Sequence, residues 1–206
     1  MNYLVFDLEM TGTEPGWHEI VQIGAAIYDE NWEKKSSFLT NVYPENEESF
    51  SLPALEVHGL TLDILDEAPM LHEAIEAFEN WAVTTVLGHK KWQEHQKPGA
   101  LKRLVVCGQS VHYDINFLRF AYMDLKQPYP FSFKTIDLYQ QAYFLFRLLR
   151  ENGQPTSKGL SLGALSEYFG LQREGDMHNA LEDAELTAAC LKEVFNYLPK
   201  FKYDPA

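Results

Sequence analysis

Apolar residues fall along this chain in short runs whose spacing switches between the strand and helix periods. The run Tyr3-Leu4-Val5-Phe6, continued by Leu8 and Met10, predicts a buried β-strand over Tyr3–Met10. Further strands are predicted over Glu19–Tyr28 and Phe38–Tyr43. The turn-like stretches Thr13-Glu14-Pro15-Gly16 and Asp29-Glu30-Asn31 between the three make them an antiparallel meander. Pro53–Gly59 predicts a short helix. Ala74, Ile75, Phe78 and Trp81 carry helical spacing over His72–Trp81. A strand over Leu104–Cys107 precedes Gly108 and an amphipathic helix over Asp114–Leu125. Then come a strand at Phe133–Ile136 and an apolar helix at Leu138–Leu149. After the break Glu151-Asn152-Gly153-Gln154-Pro155, helices are predicted over Leu162–Phe169, ended by Gly170, and over Ala180–Leu198. This order of elements predicts an α/β domain with a mixed sheet, and 206 residues suit a single domain over the whole chain, 1–206.

Two acids interrupt the first strand. Asp7 and Glu9 are two residues apart, so they project from one face of it. Burying both is costly without a cation, and convergent carboxylates suit a hard divalent metal. A third acid, Asp114, follows the polar turn Gly108-Gln109-Ser110 at the start of a predicted helix. Near the end of the chain, Asn179 reads as an N-cap with Glu182 three residues on. That puts His178 just outside the last helix and Asp183 in about its second turn. Singly, Asp114 reads as a helix cap, His178 as a loop residue and His58 as a helix end. Asp137 reads as a helix-start acid. Trp17, Trp32 and Trp81 read as core or turn packing.

Charge narrows the choice of function. The net charge of −13 excludes a protein that coats long duplex DNA by counterion release. A local nucleic-acid site remains compatible, since metal ions can supply positive charge there. One basic island stands out: an insertion at about 86–103 carries His89, Lys90, Lys91, His95, Lys97, Lys102 and Arg103 around Trp92, and reads as a solvated surface loop in preference to a nucleic-acid contact. The apolar stretches are too short to span a bilayer, and the N-terminus lacks the features of a signal peptide. Cys107 and Cys190 read as reduced core residues, so a cytoplasmic location is expected.

Taken together, these motifs resemble those of the DEDDh 3′–5′ exonucleases, the DnaQ-like branch of the ribonuclease H-like fold. Asp7 and Glu9 match the first motif, Asp114 the second, and His178 with Asp183 the third. His58-Gly59-Leu60-Thr61 matches a substrate-side motif, and Ser161-Leu162-Gly163-Ala164-Leu165 matches the segment before the third motif. Gln109-Ser110 stands where family members often carry His-Asn. The stretches Asp7–Gly12 and Cys107–Val111 are also similar to oligoribonuclease. The resemblance implies a mixed five-stranded sheet, three antiparallel strands then two parallel, flanked by helices. It implies a two-metal-ion hydrolysis of phosphodiesters at the 3′ end of single-stranded DNA or RNA, with Mg²⁺ or Mn²⁺ as the ions. Asp7 would bridge them, Glu9 and Asp183 would complete one site, Asp114 would hold the other, and His178 would act as general base. Met10, Thr11, His58, Ser110 and Tyr113 would meet the terminal nucleotide. An oligoribonuclease-like enzyme for very short RNA, and a catalytically silent nucleic-acid-binding or polymerase-associated module, are the alternatives. A homodimer and a polymerase contact are left open.

Overall fold

Every second residue of the first strand belongs to a different layer, and the whole architecture follows from that. The structure, a computed structural model, describes residues 1–173 and 177–201. Its elements in chain order are β1 (Asn2–Met10), β2 (Ile20–Tyr28), β3 (Lys34–Asn41), α1 (Leu52–His58), α2 (Leu62–Leu65), α3 (Leu71–Leu87), α4 (Lys97–Leu101), β4 (Leu104–Gly108), α5 (His112–Asp124), β5 (Thr135–Asp137), α6 (Leu138–Glu151), α7 (Leu162–Phe169) and α8 (Ala180–Asn196). Short 3₁₀ turns lie at Glu47–Ser49, Glu94–Gln96 and Leu198–Lys200.

The strands form one five-stranded sheet in the order β3-β2-β1-β4-β5. β1, β2 and β3 pair antiparallel, while β4 runs parallel to β1 and β5 parallel to β4. Leu4, Phe6 and Leu8 point to one face, where Ile75, Phe78, Leu101, Leu118 and Tyr122 of α3, α4 and α5 cover them. Val5 points to the other, packed with Leu145, Leu165, Leu191 and Val194 of α6, α7 and α8. β1 and β2 are thus buried on both sides, which is why they read as nearly continuous apolar runs. Asp7 and Glu9 share the parity of Val5 and therefore face the α8 side.

The helix ends follow their sequence signals. Ser51 and Ser161 cap α1 and α7 through their hydroxyls, and Asn179 caps α8 by accepting from the backbone of Leu181 and Glu182. Gly59 and Gly170 end α1 and α7 in the left-handed region, at φ of 67° and 72°. Asp137 caps α6 as expected, and both cysteines are buried and free.

Four expectations need correction. β3 covers Lys34–Asn41, not Phe38–Tyr43, because its first half is an exposed edge whose Lys-Lys-Ser-Ser sequence hides the pairing. β5 is Thr135–Asp137, and Phe133 lies outside it, 86% exposed. The insertion at 86–103 is not a plain solvated loop. Its first residues finish α3, Ala100 and Leu101 of α4 are fully buried, Trp92 packs on the core, and Lys97 pairs with Glu79. Of the tryptophans, Trp32 is buried against Tyr3 and Phe195 and Trp81 packs on the core, but Trp17 is 52% exposed. Among the described residues no helix is long and apolar enough to cross a membrane.

Candidate active site

Three elements deliver the acids to one place, and the backbone explains how. Asp7 stands opposite Gly24 and Glu9 opposite Gln22 across the β1–β2 pair. The first turn of α8 rests directly on Gly24. A Cβ there would lie 2.0 Å from the Leu181 nitrogen, so no side chain fits between helix and sheet. Gln22, buried next to it, accepts a hydrogen bond from the Ala180 N–H at 2.9 Å and donates to Asn41 at 2.8 Å. These two residues fix the start of α8, and Asp183 follows in its first turns, 3% exposed.

Asp114 arrives from the other side. β1 and β4 pair only as far as Val5 and Cys107, which leaves later N–H groups of β1 without a strand partner on that side. Asp114 Oδ1 accepts the Leu8 N–H at 3.1 Å. The turn leading into α5 is itself braced by Asp137, whose Oδ2 accepts the Val111 N–H at 2.9 Å. Asp137 therefore holds two backbone segments, and its role is positional.

Electrostatics show a site with too many negative charges for its partners. Burial pushes Asp7 well above the usual carboxylate range, and the charges of Asp114, Glu9 and Asp183 add to it. Glu9 rises to about 8, first through burial and then through Asp183 and Asp114. Asp114 rises to about 7 through burial, against the lowering effect of its own and the Leu8 backbone N–H. Asp183 is also raised by burial, opposed by Arg173 and His178. Glu9 Oε1 is buried with no hydrogen-bond partner. His178, exposed, pairs through Nδ1 with Asp183 Oδ2 at 2.9 Å, and its own N–H donates to the Val57 carbonyl at 3.1 Å.

Among the described residues, Glu9, His178 and Asp183 each offer a ligand atom within 4.8 Å of the others. Asp7 and Asp114 are not in that tight group but act on it electrostatically. Clustered carboxylates with one imidazole, with Glu9 Oε1 and Asp183 Oδ1 lacking hydrogen-bond partners and several protons held abnormally tightly, suit a hard divalent cation.

The exonuclease family model (RNase_T) matches residues 4–191 of this chain. The chain belongs to the exonuclease family. It is 30% identical over 202 residues to the exonuclease DPD1 (chloroplastic/mitochondrial) of Arabidopsis thaliana, which covers 96% of this chain and 56% of that protein. It is 26% identical over 193 residues to the DNA polymerase III subunit epsilon of Rickettsia felis (strain ATCC VR-1525 / URRWXCal2), covering 93% of this chain and 72% of that one. In fold it matches the nuclease domain of 3′hExo, a DEDDh family member solved with bound rAMP, with a TM-score of 0.72, 18% identity, and coverage of 99% of this chain and 96% of that one. The chain thus spans little more than half the length of its plant relative. As in the exonuclease family generally, divalent metals are the expected cofactor, and the acid cluster fits that chemistry.

The expected substrate-side residues divide. His58 is buried at the end of α1. Its Nδ1 accepts the Leu60 N–H at 3.0 Å, which leaves Nε2 as the protonated nitrogen. That Nε2 is buried without a hydrogen-bond partner, near the Met10 carbonyl, and burial lowers the ring's pKa. Met10 is half-buried at the end of β1. Ser110 sits in the left-handed region at φ 52°, and Tyr113, the second residue of α5, is 59% exposed. Thr11 is fully buried, its hydroxyl is shared with Ser49 and the Glu19 N–H, and its N–H and carbonyl are both bonded to backbone. Thr11 shapes the floor beside Met10 and has no free polar group to offer.

Sequence reasoning missed Gln22 and Gly24, whose roles lie in a helix that meets them from far along the chain. It also missed Arg173, whose guanidinium lies 2.5 Å from Asp183 Oδ1. A lone basic residue in a polar loop carries no signal of that contact.

Proposed function

We propose that the chain is a 3′–5′ exonuclease that hydrolyses the terminal phosphodiester of single-stranded DNA or RNA and releases nucleoside 5′-monophosphates. The observation that carries this reading is the convergence of Asp7, Glu9, Asp114 and Asp183 at the end of β1, with His178 beside Asp183. Asp7, Glu9, Asp114 and Asp183 would hold two divalent cations, Mg²⁺ or Mn²⁺. When bound, such ions would neutralise the phosphate and acidify the attacking water.

The protein's own groups do the rest. Asp183 accepts from Nδ1 of His178, which leaves Nε2 free to take the proton of the water that attacks phosphorus. The bond from phosphorus to the 3′-oxygen breaks, and that oxygen collects a proton from solvent. The Nε2–H of His58, buried near the Met10 carbonyl without a hydrogen-bond partner, would donate to the terminal nucleotide. Met10 and the exposed ring of Tyr113 would pack on its base, a contact that tolerates any base. Ser110 presents the turn between them.

Matched DNA and RNA oligomers over a series of lengths, labelled at the 5′ end and digested with Mg²⁺ or Mn²⁺, test this. A ladder shortened from the 3′ end is expected, and its loss in Asp7→Ala. Internal cleavage, or a rate that survives Asp7→Ala, refutes the reading. A rate confined to RNA of a few nucleotides would select the oligoribonuclease-like alternative.

A further inference from the structure

Each oxygen of Asp183 faces a nitrogen, but the Arg173 contact is an ion pair without hydrogen-bond geometry, since Oδ1 has no hydrogen-bond partner. His178 Nδ1 lies 2.9 Å from Oδ2, and the Arg173 guanidinium lies 2.5 Å from Oδ1. The Asp183 side chain is 4% exposed and that of Arg173 only 20%, so this is a largely desolvated ion pair. We propose that Arg173 is a built-in stand-in for the cation, seated on Asp183 while the site is metal-free and displaced from it when a divalent ion binds. This rests on the metal-site reading given above.

The chemistry of the two partners of Asp183 separates their fates. An imidazole can meet an incoming cation by losing its proton. A guanidinium cannot, because it stays charged at any accessible pH. A cation on Asp183 would face that fixed positive charge across a buried distance where screening is weak. Arg173 must therefore leave. It has somewhere to go: it lines an open cleft of about 800 Å³ together with Gln172, His58, Leu60 and Leu181. Metal loading is then an exchange of cations. The metal-free protein is spared four unbalanced carboxylates, at the cost of weaker apparent metal affinity, since the competent state is only part of the population.

The test is a calorimetric titration of Mn²⁺ into metal-free wild type, Arg173→Gln, Arg173→Lys and Asp183→Asn, with melting curves in a chelator. Arg173→Gln is expected to bind Mn²⁺ about tenfold more tightly than wild type and to melt lower without metal. Its melting temperature should therefore respond more strongly to Mn²⁺. Arg173→Lys keeps the charge but loses the forked geometry, and should fall between the two even if Arg173→Gln does not fold. Equal or weaker Mn²⁺ binding in both variants overturns the proposal, and would assign Arg173 to substrate or to structure. If wild type itself binds no Mn²⁺, the metal-site reading falls with it. If wild type binds Mn²⁺ and Asp183→Asn does not, while the Arg173 variants match wild type, only this inference is lost.

Discussion

The protein buries acids on both sides of its sheet, and treats them oppositely. On the α3–α5 side, Glu79 is 6% exposed, yet both its oxygens are matched: Oε2 by Lys97 of α4 and Oε1 by the Tyr122 hydroxyl at 2.7 Å. On the α8 side, Asp7, Glu9, Asp114 and Asp183 share one guanidinium and one imidazole, and a Glu9 oxygen has no partner. Burial alone does not mark a functional acid. The excess of charge over available partners does.

Mutations should break this comparison cleanly. Asp7→Ala is expected to lower nuclease turnover by about 10³-fold or more if, as proposed, Asp7 is a ligand shared by the cations that would neutralise the phosphate. It should not destabilise the metal-free fold, because it removes repulsion. Thermal melts in a chelator alongside rate measurements check both halves. His178→Ala should cost about 10²–10⁴-fold in rate. Single-turnover rates would show it, and an unchanged rate would remove His178 from the role of base.

Glu79→Ala should invert the pattern. Lys97 and the Tyr122 hydroxyl lose their buried partner, at a stability cost of about 2–4 kcal/mol in denaturant unfolding. Its turnover should stay within about twofold of wild type, as the two clusters lie on opposite faces and share no partner. Loss of activity at full occupancy of the native state would mean the two faces are coupled.

The smallest effect is a pH dependence. Glu9 rises from 4.5 to about 8 in the folded state. Between those values the native protein holds a proton that the unfolded chain has released, so metal-free stability falls as pH rises through that window. Glu9→Gln should show a shallower decline across the same range in chelator. Saturating Mn²⁺ should reverse the wild-type trend, because cation binding favours the ionised form. A parallel decline in wild type and variant would mean that Glu9 titrates normally.

The sequence made the two sides unequally legible. β1 is readable because its apolar run is buried on both faces, and α7 because Ser161 and Gly170 punctuate it at both ends. The acids of the site are readable because each sits in a motif of fixed local geometry. The Glu79 cluster is not, since an acid and a lysine eighteen positions apart, one in α3 and one in α4, pair only after the helices dock. For the same reason the insertion read as solvated: its charges outnumber Ala100 and Leu101, which do the anchoring. The surroundings of Thr11 were not legible either, since the partners of its hydroxyl, Ser49 and the Glu19 backbone, come from two later segments.

Gly24 gives this site its tolerance. A single added methyl would sit 2.0 Å from the Leu181 nitrogen, so α8 would have to ride up off β2. Asp183 would ride with it, away from acids that are anchored on β1 and α5. Misplacement of about 1 Å in a reacting constellation costs on the order of 10²-fold in rate. The spacing of the carboxylates is therefore gauged by a hydrogen atom on a residue that never touches metal or substrate. Any change that thickens the sheet at that point would alter the spacing of the acids without replacing any of them.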